Sequence, residues 1–300
     1  MKIAITGANG LLGQKLVSLL GTQKNTEVLA TGLGPCRILN LPDNARYEVC
    51  DISLQDDCST VFQEFKPDVV IHSAALTNVD ECELNPEKCR LLNVEATRNV
   101  VRACEAAGAQ IIHLSTDFIF DGTKGPLREE DIPNPISIYG QSKLDAEEIV
   151  KTAACPWAIV RTILVYGIAP GLSRSNIILW VKASLEQGKN IQVVDDQFRT
   201  PTLAEDLAMG CYMIAKNKAS GIFNISGREL MTPFEMAMET CDYFHLDKSL
   251  ITKASAKTFS QPAKRPPRTG FDISKAEKEL GYKPHSFAEG IRILAGQMDA

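Results

Sequence analysis

The stretch KIAITGANGLLGQKLVSLLG, residues 2–21, decides the fold. Its first five residues form a short, unbroken apolar run that reads as a buried strand. The run passes directly into Gly7, Gly10 and Gly13, and LLGQKLVSLLG then follows with helical periodicity. The first glycine permits a tight turn, and the second lets backbone N–H groups approach a pyrophosphate. The third lets the helix pack close to its strand, with its positive N-terminal end facing the anion. A glycine trio alone is weak; one with a strand before it and a helix after it is a dinucleotide-binding loop. Contacts to the cofactor are expected from Gly7, Asn9, Gly10, Leu11, Leu12 and Gly13.

Working outward, EVLAT, RYEVC, DVVIHSAA and QIIHLST are further strand-like runs, nearly continuously apolar. Between them lie the helical stretches DDCSTVFQEF and PEKCRLLNVEATRNVVRACEAAG. Apolar strands without alternation imply a sheet covered on both faces, and strand–helix alternation implies a parallel, doubly wound α/β fold of Rossmann type. After Pro156, WAIVRTILVYG reads as one more strand, NIILWVKASLEQG as a helix, IQVV as a strand, LAEDLAMGCYMIAKN as a helix and GIFNIS as a strand. Residues 1–170 are therefore expected to form the nucleotide-binding domain, with 200–226 returning to it. Residues 171–199 and 227–300 are expected to form a smaller C-terminal α/β substrate-binding lobe. Capping boxes are expected at Thr232/Glu235, Ser274/Glu277 and Ser286/Glu289, and Gly281 as a helix C-cap. The proline-rich, basic segment QPAKRPPRTG reads as an ordered loop crossing a cleft.

Ligands of an open parallel sheet bind beyond the carboxyl ends of its strands. The second strand ends LATGLGPCR, without an acidic residue for a ribose 2′-hydroxyl; Arg37 just beyond could face a 2′-phosphate. That favours NADPH, with NADH and a merely solvated Arg37 left open. Asp51 and Ile52 end the third strand near the adenine. Ala74, Ala75 and Leu76 follow the fourth, where small side chains leave room for the cofactor. Ser115, Thr116 and Asp117 end the fifth.

YGQSK, residues 139–143, opens the next helix. Positions i and i+4 share a helical face, so Lys143 would lie beside the Tyr139 hydroxyl and favour its phenolate. A phenol tuned toward neutrality can give a proton to a ketone oxygen as hydride reaches its carbon, while Thr116 holds that oxygen. Asn93 either anchors a water or backbone group behind the lysine or is a surface helix residue.

Composition narrows the alternatives. The 300 residues are 44% hydrophobic and 23% charged, with a net charge of −5. No basic footprint for nucleic acid exists. No apolar run approaches membrane-spanning length, and nothing resembles a signal peptide. Nine cysteines without a CxxC pair suit free thiols in a reducing cytoplasm. The four histidines are far apart, so no metal site is expected; His72 and His113 sit in strand-like runs and read as packed or hydrogen-bonded.

With glycine loop, STD and YxxxK in place, the chain resembles an extended short-chain dehydrogenase/reductase, and more closely the dTDP-4-dehydrorhamnose reductase family. The matching stretches are TGANGLLG, HSAALTNVDECE, STDFIFDG, IYGQSKLDAE, VRTILVYG, DDQFRTPTLAEDLA and KRP, spanning Met1 to about Arg268. The resemblance implies hydride transfer from a nicotinamide to the 4-keto carbon of a nucleotide-linked sugar. Thr116, Tyr139 and Lys143 fall on the family's catalytic residues, and Asp117 falls at the sugar site. Arg199 and Arg265 would meet a diphosphate or nucleotide from the second lobe. Three departures surround the substrate: Phe118 replaces the family's tyrosine, Leu164 its tryptophan before VYG, and Arg199 follows Phe198 where a glycine turn is usual. Two alternatives stay open: an epimerase or dehydratase on the same scaffold, and a non-catalytic NADP-binding regulatory subunit like that of methionine adenosyltransferase. A homodimer is in keeping with the superfamily.

Overall fold

The computed structural model describes residues 1–172 and 176–298. Residues 173–175 of the expected substrate lobe therefore lie outside the described residues, as do 299–300. Its nucleotide half runs β1 (Lys2–Thr6), α1 (Leu11–Gly21), β2 (Glu27–Gly32), β3 (Ala45–Val49), α2 (Gln55–Phe65), β4 (Val69–His72), α3 (Val79–Leu84), α4 (Pro86–Arg90), a π-helical turn (Leu91–Glu95), α5 (Ala96–Ala107) and β5 (Gln110–Thr116). A 3-10 turn (Asp117–Ile119), α6 (Ile138–Lys151) and β6 (Trp157–Thr162) complete that run. The rest is β7 (Val165–Tyr166), α7 (Ile177–Glu186), β8 (Ile191–Val194), β9 (Thr202–Leu203), α8 (Ala204–Asn217), β10 (Gly221–Asn224), α9 (Pro233–Phe244), β11 (Ile251–Ala254), α10 (Ser274–Leu280) and α11 (Phe287–Met298).

Seven strands form one parallel sheet in the order β10-β6-β5-β4-β1-β2-β3. The two-residue side-chain period divides each apolar run between the two faces. Ile3 and Ile5 of β1, Val69 and Ile71 of β4, and Ala158 and Val160 of β6 pack with Leu16, Val17, Leu207 and Cys211 of α1 and α8. The residues between them, Ala4, Val70 and Ile159, pack on the opposite face with Phe62 and Phe65 of α2 and Val100 and Cys104 of α5. This is why the strands carry no hydrophobic alternation: both faces are dry. Strand order reverses between β1 and β4, and the crevice of a doubly wound sheet opens at such a reversal.

A second, smaller pair, β8 and β11, is also parallel. It packs through Ile191, Val193 and Ile251 on Val181 and Leu185 of α7 and Ala237 and Cys241 of α9. Thr232 caps α9 with Glu235 as a reciprocal box. Ser286 and Glu289 do the same before α11, and Gly281 ends α10 at φ +73°. Ser274 does not behave as expected: it is the first residue of α10, and Asp272 accepts its amide at 2.9 Å. The single strand expected over WAIVRTILVYG is also divided. Leu164, at φ +39°, turns the chain out of the sheet after β6, and β7 pairs instead with β9. Among the described residues no helix is long and apolar enough to cross a membrane.

Candidate active site

The glycine loop lies beside β4. A Cβ on Gly7, already at φ +73°, would come within 2.8 Å of the Ala74 backbone; one on Gly13 would meet the Gly7 carbonyl at 2.3 Å. Both glycines hold strand and helix together. Gly10 differs: its added Cβ would meet only the Gly7 carbonyl, at 3.2 Å, and no side chain caps α1 there. A bulky residue at Gly10 would fill the space over the helix N-terminus, where a pyrophosphate is stabilised by amides and dipole. The loop thus fits the diphosphate of a dinucleotide.

Asn9 was expected to touch the cofactor, but its side chain is spent on the neighbouring loop. Its Nδ2 donates to Pro35 O at 3.1 Å and Tyr47 Oη at 2.9 Å, and its Oδ1 accepts the Arg37 amide at 2.8 Å. Asn9 therefore fixes the exposed Arg37 next to the glycine loop. Leu11 and Leu12 are half-buried at the start of α1. The Asp51 carboxylate is taken by the Ser53 amide and hydroxyl, at 2.9 and 2.7 Å. Ile52 is buried and its carbonyl accepts Asn99 Nδ2. Ala74 and Ala75 are half-buried after β4.

Asn93 is a fully enclosed clamp, not a surface residue. It sits in the π-helical turn, a feature that recurs at functional sites. Its Oδ1 accepts the Leu76 amide at 2.7 Å, and its Nδ2 donates to the Leu76 carbonyl at 3.1 Å and Ser142 Oγ at 3.0 Å. It anchors backbone, as one of the two sequence alternatives held.

Ser137 caps α6 by accepting the Gly140 amide. Gly140 lets the helix sit on the 3-10 turn, since a Cβ there would fall 2.1 Å from the Phe118 carbonyl. Tyr139 and Lys143 are both buried, at 8% and 3% exposure, and share one face of α6 with Gly140, Ser142 and Glu147. The Tyr139 ring meets Phe118 edge-on at 5.6 Å, while the Phe118 amide donates to Thr116 Oγ1 at 3.3 Å. Phe118 thus joins tyrosine and threonine.

Lys143 Nζ lies 3.3 Å from His113 Nε2. Burial brings its ammonium from 10.5 down to about 8, against the attraction of Glu147 and Cys89. His113 is held well below its ordinary value by burial, then by Lys143 and His72, so its neutral ring accepts from the lysine. His72 bonds Thr6 Oγ1 at 2.7 Å and Thr97 Oγ1 at 3.1 Å, which ties the lysine's surroundings back to β1. Both histidines are enclosed, as expected; His72 is bonded through both ring nitrogens, His113 through Nε2 only, its buried Nδ1 having no partner among the described residues.

Four expected contact residues are engaged by other groups of the protein. Ser115 donates its hydroxyl to Glu147 Oε1 at 2.6 Å, so that hydroxyl braces α6. Asp117 is enclosed: Thr269 Oγ1 donates to its Oδ2 and Thr116 Oγ1 to its Oδ1, while Arg199 Nε stands 3.5 Å away. Burial raises its carboxyl, opposed by Arg199 and the two hydroxyls. Arg199 is 6% exposed and gives its remaining N–H groups to the carbonyls of Phe198, Pro266 and Pro267, which pins the proline-rich loop. Arg265 forms a two-pronged pair with Asp80 at 3.1 and 2.7 Å, fastening the same loop to α3. Leu164 is half-exposed, at 44%.

The sequence reading missed Glu147 and Arg161. Glu147 is fully enclosed and bound by Arg161 at 3.0 and 2.7 Å. The signal was present: Tyr139, Lys143 and Glu147 repeat every four residues on one face. Among the described residues no group of three or more His, Cys, Asp or Glu could hold a metal ion.

A parallel sheet with a glycine loop at its strand reversal, and a buried Tyr–Lys pair on the helix after β5, defines an extended short-chain dehydrogenase/reductase. Residues 1–299 match the model of the RmlD substrate binding domain, and the chain belongs to that family. It is 33% identical over 294 residues to a probable low-salt glycan biosynthesis reductase of Haloferax volcanii, covering 97% of this chain and 96% of the relative. It is 32% identical over 293 residues to methionine adenosyltransferase 2 subunit beta of Xenopus laevis, covering 96% and 85% respectively. A dTDP-4-dehydrorhamnose reductase structure from Clostridium acetobutylicum superposes with a TM-score of 0.88 at 31% identity, covering all of both chains. The Bacillus anthracis reductase in complex with NADP gives 0.84 at 26% identity over 99% of each chain.

Proposed function

We propose that this protein is an NADPH-dependent reductase of the 4-keto group of a nucleotide-diphospho-6-deoxy sugar. One observation carries the reading: Tyr139 and Lys143 are buried together on one face of α6, beside the carboxyl end of β5. The amides of the glycine loop would hold the cofactor diphosphate, and Arg37, positioned by Asn9, would face a 2′-phosphate; NADH is the alternative cofactor. The nicotinamide, when bound, supplies hydride.

The chain's own residues manage the proton. Lys143 is desolvated yet still cationic at neutral pH, and a cation beside a phenol favours phenolate. Tyr139 can then release its proton to the ketone oxygen at little cost. The Thr116 hydroxyl, now on Asp117 Oδ1 at 3.1 Å, turns to donate to that oxygen. Asp117 stays fixed by Thr269 and Arg199 as it does so. The test is oxidation of NADPH, and of NADH, with dTDP-4-keto-6-deoxy sugars. A steady fall in reduced cofactor supports the reading; an epimerase or dehydratase would return its cofactor unchanged.

The likeness to methionine adenosyltransferase 2 subunit beta favours a second reading, a cofactor-holding regulatory subunit without chemistry. Tight NADPH binding with no reduction of any 4-keto sugar, together with a shift in the activity of an added methionine adenosyltransferase, would select it.

A further inference from the structure

Tyr139 rests in a small cluster with Val79, Cys82, Cys89 and Ala263. Two of these are thiols on successive helices, Cys82 on α3 and Cys89 on α4. Both are fully buried in that one cluster, near enough for each thiol to perturb the ionisation of the other. Neither has a part in hydride transfer. Cys89 Sγ donates to Ser142 Oγ at 3.3 Å and accepts from Asn93 Nδ2 at 3.5 Å; Cys82 Sγ donates to the Leu76 carbonyl at 3.6 Å. Ser142 stands between Tyr139 and Lys143 on α6 and donates to the Tyr139 carbonyl at 2.8 Å. The thiol pair therefore touches the working face of that helix.

A second pair of neighbouring buried thiols, Cys50 and Cys58, isolates the effect of the surroundings. Cys50 too is held below the ordinary value by the neighbouring Cys58 thiol, but burial and then Asp57, Asp51 and Glu48 oppose its thiolate. Cys89 differs in its charged neighbour: Cys82, its contacts with Ser142 and Asn93, and the Lys143 ammonium hold its thiol below the ordinary value against burial, with no carboxylate opposing them. Cys82 is held above the ordinary value by the neighbouring Cys89 thiol, by burial, and by Glu81 and Glu83. Cys89 Sγ accepts an N–H from Asn93, which suits a thiolate, whereas Cys82 Sγ faces the Leu76 carbonyl, which suits a thiol; the thiolate is the reactive form, so Cys89 is the attacking sulfur and Cys82 the resolving one.

We propose that Cys82 and Cys89 are a redox-active dithiol that hydrogen peroxide converts to an intramolecular disulfide packed beneath Tyr139. The Cys89 thiolate attacks one peroxide oxygen; an S–O bond forms, the O–O bond breaks, and the leaving hydroxide takes a proton as water. Cys82 Sγ then displaces the sulfenic oxygen, forming the S–S bond and a second water. The two thiols lose two electrons and two hydrogens, the peroxide is reduced to two waters, and an added dithiol reverses the change. The oxidised Cys89 can no longer donate to Ser142, so the bed under Tyr139 shifts. The dithiol stands without the reductase reading; its effect on turnover rests on that reading.

The experiment uses the full chain with the exposed Cys36 removed as Cys36→Ser. The native protein is treated with hydrogen peroxide at pH 7, alkylated and digested with trypsin. The expected product links the Cys82 peptide ending at Lys88 to the Cys89–Arg90 fragment, is lost on adding dithiothreitol, and forms at least about tenfold faster than a Cys50–Cys58 link. Adding Cys82→Ser leaves a sulfenic acid on Cys89 that dimedone captures. No link, a Cys50–Cys58 link as fast, or no dimedone adduct overturns the dithiol. On the same samples, cross-linking should abolish most NADPH-dependent turnover, and a cross-linked protein as active as the reduced one overturns the coupling to Tyr139. A reduced protein that links but never turns over counts against the reductase reading alone.

Discussion

Replacing Lys143 with methionine should stabilise the protein at neutral pH while destroying its chemistry. Burial brings the ammonium from 10.5 to about 8. At about 1.4 kcal/mol per pH unit, keeping it charged inside the fold costs ~3 kcal/mol. Methionine matches the shape and needs no solvation, but it gives up the contact with His113 Nε2, worth about 1 kcal/mol. The net gain at pH 7 is ~2 kcal/mol. Because the folded state binds fewer protons than the unfolded state between pH 8 and 10.5, wild-type stability rises with pH through that window. The cost is fully present below the folded value and gone above the unfolded one. Urea unfolding of both proteins at pH 7 and pH 10 reads the difference directly. The variant's advantage should shrink with pH and approach reversal by ~1 kcal/mol as the unfolded-state lysine deprotonates. A Lys143→Met protein that is less stable at pH 7, or a difference flat across the window, would refute the desolvated-ammonium reasoning.

Other perturbations separate support from chemistry. Glu147→Gln leaves Arg161 enclosed without its counter-charge and should cost about 3–5 kcal/mol in denaturant unfolding. Gly10→Val should keep the wild-type melting temperature within a few degrees yet weaken NADPH binding by at least about 100-fold by fluorescence titration, since only its own loop lies near the added carbon. Gly13→Ala, by contrast, should lower stability by roughly 2–4 kcal/mol, because its methyl would strike the Gly7 and Ala8 backbone. Turnover should fall above about pH 8 as the Lys143 ammonium is lost; a rate that is level to pH 10 would count against its part in tuning the phenol.

The fold was legible because its signals are local. Unbroken apolar runs, helical periodicity and one glycine loop fix a covered parallel sheet, and helix α1 begins and ends where LLGQKLVSLLG does. The strand expected across Leu164 failed because its left-handed turn is imposed by partners elsewhere: Thr202 bonds the carbonyls of both Ile163 and Leu164. The site was half legible for the same reason. Tyr139 and Lys143 share one buried face of α6 by helical spacing alone. Arg199 and Arg265 looked like anion ligands by residue type, whereas their partners are the Pro266 carbonyl and Asp80, from segments 67 and 185 residues away. Nothing in the local sequence announces such pairings. Glu147 was within reach of the spacing rule, but its meaning depends on Arg161 arriving from the neighbouring strand.

Hydride consumption by wild type and Tyr139→Phe, side by side, tests the central claim most directly. With NADPH and a dTDP-4-keto-6-deoxy sugar, the wild type should oxidise cofactor steadily. The variant should lose at least about 100-fold in kcat, the scale of a positioned proton donor, while binding NADPH with affinity within about twofold of wild type. Equal rates in the two proteins, with NADPH binding intact in both, would contradict it.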